Sequence, residues 1–137
     1  MSIKNRMLMP VLCMTGFLTA CTTPLPQPNP NDAWVGLQEE PQNSMLADQL
    51  DGTRLKDGRF FEVKPGSHKL EVLVYKESNP QLDEQICRGS IDFATFKAGR
   101  HYTLVETSLG ETMMRASLKN ENGKTLASTD QFDCMSG

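Results

Sequence analysis

Recognisable catalytic motifs are scarce in this chain. Only two histidines and one tryptophan occur in 137 residues, and no Gly-x-Ser-x-Gly, His-Glu-x-x-His or phosphate-loop pattern is present. No Cys-x-x-Cys pair sets a reactive thiol beside a resolving one. No apolar run reaches the roughly twenty residues that a helix needs to cross about 30 Å of hydrocarbon. Positive charge is also short, with 14 Lys and Arg against 17 Asp and Glu, a net charge of −3. Duplex DNA and polyphosphate bind through a clustered positive surface that releases counterions, so this balance argues against nucleic acid as a partner. The length admits one compact domain and excludes a multidomain enzyme.

The first twenty residues form a class of their own. Four of the eight methionines (Met1, Met7, Met9 and Met14) lie there, behind a short basic stretch with Lys4 and Arg6. Residues 7–18 are largely apolar but broken by Pro10, Thr15 and Gly16, and small residues precede Cys21. This is the layout of a cleaved export leader rather than a permanent span. Lys4 and Arg6 leave with it and no acid does, so 12 bases remain against 17 acids and the net charge becomes −5.

Leu18-Thr19-Ala20-Cys21 resembles the lipobox of bacterial envelope lipoproteins. The resemblance implies diacylglycerol transfer to the Cys21 thiol, cleavage after Ala20, and acylation of the new amino group, palmitate being the expected chain. Each buried methylene contributes about 0.8 kcal/mol, so two or three chains anchor durably where one is marginal. Thr22 stands where enteric lipoproteins carry an inner-membrane retention aspartate, which implies the outer membrane, facing the periplasm. The alternative is an ordinary secretory leader or a buried helix, with Cys21 incidental.

Residues 21–32 follow as a tether. Pro24, Pro26, Pro28 and Pro30 alternate with uncharged residues, and at about 3.1 Å per residue a polyproline II segment of this length holds a domain up to about 30 Å from the membrane. Residues 33–137 then read as strands and turns. Ala33–Leu37 is a first short strand. Residues 38–58 read mainly as a loop, with Pro41, at most a turn or two of helix over 44–50, and turn pairs at Asp51-Gly52 and Asp57-Gly58. Arg59–Val63 alternates, with Phe61 and Val63 on one face. Lys69–Lys76 is the clearest strand, placing Leu70, Val72 and Val74 together. Another runs over about 86–94, where Cys87, Gly89, Ile91 and Phe93 share a face. Residues 97–100 make a turn, and strands follow at 101–107 and 112–118 around Gly110. Asn122-Gly123 predicts a type I′ hairpin with both residues at positive φ, leading into a last strand over about 125–132. Six or seven short strands predict an all-β fold, a small antiparallel β-sandwich or partly open barrel.

Val63–Val72, with Pro65-Gly66-Ser67-His68, and Phe96–Leu104, with Ala98-Gly99-Arg100-His101-Tyr102, are similar to elements found in small bacterial envelope lipoproteins. The likeness implies an all-β domain and names no ligand.

With Cys13 lost in the leader and Cys21 acylated, Cys87 and Cys134 remain. An even pair in an exported chain predicts a disulfide. It closes a loop of about 48 residues, for which chain entropy sets an upper contribution of about 4 kcal/mol. Two free thiols in redox exchange or metal binding are the alternative.

Ser67 beside His68 suggests a nucleophile and base, but neighbours on a strand point to opposite faces. His68 and His101, each just after a turn, read instead as groups that satisfy the backbone. The acids Glu39, Glu40, Asp48, Asp51, Asp57, Glu62, Glu71, Glu77, Asp83 and Glu84 form no compact pair in sequence. Phe60, Tyr75, Phe93, Phe96, Tyr102, Met113 and Met114 read as core or sheet-face packing. The expectation is therefore no catalytic, cofactor or metal residue. The reading is a tethered binding or assembly module for envelope proteins. Its rivals are a structural or stress-related lipoprotein on peptidoglycan or lipid, and a small hydrolase or hydrolase inhibitor.

Overall fold

The computed structural model describes residues 24–76, 85–108 and 113–136. The leader, the lipobox with Cys21, the acids Glu77, Asp83 and Glu84, and Gly110 lie outside the described residues.

Ten strands are present among the described residues: β1 Ala33–Gln38, β2 Asn43–Leu50, β3 Thr53–Arg54, β4 Phe60–Val63, β5 Gly66–Lys76, β6 Gln85–Phe96, β7 His101–Ser108, β8 Met114–Lys119, β9 Thr125–Ser128 and β10 Asp133–Ser136. They form two five-stranded sheets, ordered β4-β1-β7-β8-β9 and β10-β6-β5-β2-β3. The fold is all-β and built of two layers, with no closed barrel. Every pairing is antiparallel except β1 with β7, which run parallel from Trp34↔His101 to Gln38↔Val105. That pair departs from the antiparallel expectation. The chain between β1 and β7 passes through the other sheet, so no hairpin constrains their relative direction.

Alternation decides what is buried. Leu70, Val72 and Val74 of β5 face inward beside Met45 and Ala47 of β2 and Cys87 and Ile91 of β6. Opposite them lie Val35 of β1, Phe61 and Val63 of β4, Leu104 of β7, and Met114, Ala116 and Leu118 of β8. Each large aliphatic or aromatic side chain removed from water contributes roughly 1.5–3 kcal/mol against chain entropy.

The stretch read as a loop contains strands. Asn43–Leu50 pairs with β5 from Asn43↔Lys76 to Leu50↔Leu70, with a bulge at Asp48. Two features hide it in the sequence. Met45, Leu46 and Ala47 carry no β-branch, and the bulge turns both Ala47 and Asp48 inward, which breaks the alternation. Pairing with the strong β5 strand overrides weak local preference. Asp51 and Gly52 both have positive φ, 51° and 85°, and join β2 to β3 as a two-residue type I′ hairpin.

The same conformation predicted at Asn122-Gly123 does not occur. Only Gly123 is at positive φ, 82°, and its N–H donates to the Asn120 carbonyl at 3.0 Å. The Asn120 Oδ1 accepts the N–H groups of Asn122 and Lys124. This side chain substitutes for a ladder bond and favours a three-residue loop with glycine in the left-handed position.

The last predicted strand is also divided. β9 ends at Ser128, Thr129 donates its N–H to Ala116 O at 2.9 Å, and Phe132 donates to Met114 O at 2.9 Å. The chain then crosses to the other sheet as β10. Phe132 is buried over Gly89, where an added Cβ would lie 2.1 Å from the ring. Cys134 stands opposite Cys87 in the β10–β6 register, and the two are disulfide-bonded with Cα atoms 3.9 Å apart. The bridge fixes the four-residue edge strand β10 to the long strand β6.

Candidate binding cleft

One end of the sandwich is plugged by aromatic rings. A bulge in β6 breaks its alternation between His68↔Phe93 and Gly66↔Phe96, so Phe93 and Phe96 both approach Tyr102 of β7. Phe93 and Phe96 meet edge-on with centroids 5.0 Å apart, and Phe96 and Tyr102 do so at 5.1 Å, the arrangement that aromatic quadrupoles favour. The Tyr102 hydroxyl accepts the Lys97 N–H at 3.1 Å, which fixes the start of the turn to β7. Gly99 takes φ 75° within that turn and donates to Asp32 O at 2.9 Å. The Arg100 carbonyl accepts the Trp34 N–H at 3.0 Å. The turn is thus bound to the place where the proline-rich segment meets β1.

A cleft of about 330 Å³ opens above these rings, within the size range of small-ligand pockets. Phe93, Tyr102 and Leu126 supply its apolar surface, while Lys97, Arg100, His101, Asn120, Glu121 and Asn122 supply its polar rim. Arg100 Nη1 lies 3.3 Å from Glu121 Oε1. Both side chains are solvent-exposed, so this pair contributes at most about 1 kcal/mol.

The structure brings the two histidines into different settings. His101 lines the cleft, exposed, and its ring bonds to no described residue. His68 Nδ1 lies 2.6 Å from Asp51 Oδ2, and Nε2 lies 2.7 Å from the Lys64 carbonyl. Both ring nitrogens are therefore engaged. Neither nitrogen is left to take a proton from Ser67. His68 ties the Asp51-Gly52 hairpin to the β4–β5 corner, the backbone-satisfying role that the sequence suggested. The bond from His68 and the Lys69 N–H, 2.7 Å from Asp51 Oδ1, hold the Asp51 carboxyl below its usual range. Arg59 does the same for Asp57 through a 2.7 Å contact.

Two acids are buried among the described residues. Asp48, at the β2 bulge, is 7% exposed; its Oδ1 lies 3.4 Å from Arg54, and its Oδ2 has no partner among the described residues. Glu106 is 4% exposed and accepts hydrogen bonds from the Glu40 N–H, Asn43 Nδ2 and the Ser108 hydroxyl. Glu40 in turn accepts the Ser108 N–H at 2.8 Å. Glu106 thereby clamps the β1–β2 connection to β7, and both of its oxygens are engaged.

Compared with protein-family models, curated proteins and solved structures, the chain matches none. Among the described residues no group of three or more His, Cys, Asp or Glu could hold a metal ion. Sequence reasoning assigned none of Lys97, Arg100, Asn120, Glu121 or Asn122 to a functional site. They lie on two turns 20 or more residues apart, and only β7–β8 pairing brings those turns to one end. The signal available was that both turns carry polar residues beside Tyr102 and Leu126.

Proposed function

We propose that this chain is an outer-membrane-anchored periplasmic lipoprotein, held through acylated Cys21, whose β domain is a binding or assembly module for envelope partners. The observation that carries the reading is the position of the cleft. It shares the Lys97–Arg100 turn with the contact that receives Asp32, at the point where the tether joins the domain. Residues 21–28 span roughly 25 Å if extended, so an anchored domain holds this cleft within reach of the membrane surface. Confinement to that layer raises the effective concentration toward a local partner, and useful occupancy then needs no tight solution affinity.

A photo-crosslinking residue at Asn122, on the rim, compared in living cells with one at exposed Ser90 on β6, tests this. An adduct from position 122 and none from position 90 supports the reading. No adduct from either, or equal adducts from both, contradicts it.

A further inference from the structure

The cleft has an asymmetric set of polar groups. Among the described residues, the Lys97 ammonium, the His101 ring and the Asn122 side chain have no partner, and Arg100 spends one N–H on Glu121. Asn120 has its Oδ1 committed to the Asn122 and Lys124 N–H groups, which leaves its NH2 as the free end. Among the described residues Glu121 is the one carboxylate on the lining, and Arg100 already engages it. Thr95 adds a hydroxyl and Asn122 an amide oxygen that can accept, but most of the groups left for a ligand are donors, two of them on cationic side chains. Beneath them lie Phe93, Tyr102 and Leu126.

Donors around an apolar floor discriminate between ligand classes. A purely apolar ligand leaves the donors without acceptors, and a small free anion leaves the aromatic floor uncovered. A ligand that meets both has a ring with one hydrophobic side and an acidic substituent. A volume of about 330 Å³ is enough to seat one such ring.

We infer that the cleft binds a single acid-bearing sugar ring, with Lys97 and Arg100 on the carboxylate or phosphate and Phe93, Tyr102 and Leu126 beneath the ring. This deepens the proposed binding function and names the ligand class for the same site. It does not depend on Cys21 being acylated. Arg100 is suited to the acidic group because its planar fork pairs with two oxygens at once, and Asn120 and Asn122 are placed for ring hydroxyls or an acetamido carbonyl.

The test is a titration of the 15N-labelled native protein in detergent micelles, read at the backbone amides of Lys97–Tyr102 and Asn120–Asn122. N-acetylmuramic acid supplies a ring with a carboxylate, glucose 6-phosphate a ring with a phosphate, N-acetylglucosamine a neutral ring, and lactate an acid alone. At least one acid-bearing ring should shift these amides with a Kd of about 1 mM. The neutral ring and the lone acid should bind at least about tenfold more weakly, the loss expected when a charged partner is missing. Preference for the carboxylate points to a wall glycan and preference for the phosphate to a lipid headgroup. K97A/R100A should weaken the preferred ligand by about tenfold or more while the remaining spectrum stays dispersed. No shift up to about 20 mM, equal binding of the neutral ring, or unchanged binding by K97A/R100A overturns the inference. An intact mass on the same sample reports acylation separately, so a failed ligand and a failed anchor are told apart.

Discussion

Gly89→Ala is a substitution for which strand propensity and the structure predict opposite signs. Glycine inside a strand is ordinarily about 0.5–1 kcal/mol less stable than alanine because it loses more backbone freedom on folding. Here the added Cβ would stand 2.1 Å from Phe132 Cε1 and 2.3 Å from Cδ1. Those atoms belong to a ring that is 3% exposed, fixed by its own backbone bond to Met114 and two residues from the disulfide. The ring can move aside only by straining the crossover or leaving the core. Overpacking of this kind costs about 1–3 kcal/mol, which exceeds the propensity gain. Gly89→Ala should therefore destabilise by about 1–2 kcal/mol. Phe132→Ala should cost about 3–5 kcal/mol alone. In that background Gly89→Ala should become neutral or stabilising, because the obstacle is gone. Urea unfolding followed by Trp34 fluorescence, run as a double-mutant cycle, measures all four states. A Gly89→Ala protein as stable as the parent, or additive effects of the two substitutions, would refute the proposed packing.

Reduction of Cys87–Cys134, or its replacement by two alanines, should lower stability by up to about 4 kcal/mol, seen as a fall in the urea midpoint with β10 amides exchanging first; an unchanged midpoint would rule out a stabilising bridge. Glu106→Gln should cost about 1–3 kcal/mol, since its amide nitrogen would then face either the Glu40 N–H or the Asn43 side-chain NH2, and thermal unfolding reads the loss. The Asp51 carboxyl is held below its unfolded value of 3.8, so its contribution is present above that pH and disappears as pH falls through the lower folded value. Acid titration of stability should accordingly be shallower in Asp51→Asn than in the parent as pH falls below 3.8; identical acid limbs would contradict the His68 and Lys69 bonds.

The legible parts of the fold were those where one local rule acted alone. β5 was visible because Leu70, Val72 and Val74 alternate without interruption, and the Asp51-Gly52 turn because aspartate and glycine both tolerate positive φ. β2 was not, since a bulge at Asp48 spoils its period and its residues favour no strand until β5 lies alongside. The Asn122-Gly123 turn misled because Asn120, two residues earlier, supplies an acceptor that selects another loop. The Cys87–Cys134 pair followed from counting. The parallel β1–β7 pair and the cleft did not follow from any local pattern, because both arise from sheet order. Glu106 shares a strand face with Tyr102 and Leu104, yet its partners Glu40 and Asn43 are more than 60 residues away and gave no sequence signal.

The proposed role depends above all on the anchor at residue 21, and the intact mass of the protein purified from membranes of its native host tests that most directly. A chain beginning at Cys21, heavier than the bare sequence by a diacylglyceryl group and an amide-linked acyl chain, is the predicted result. A chain that retains Met1, or one that begins elsewhere with no added lipid, would contradict it.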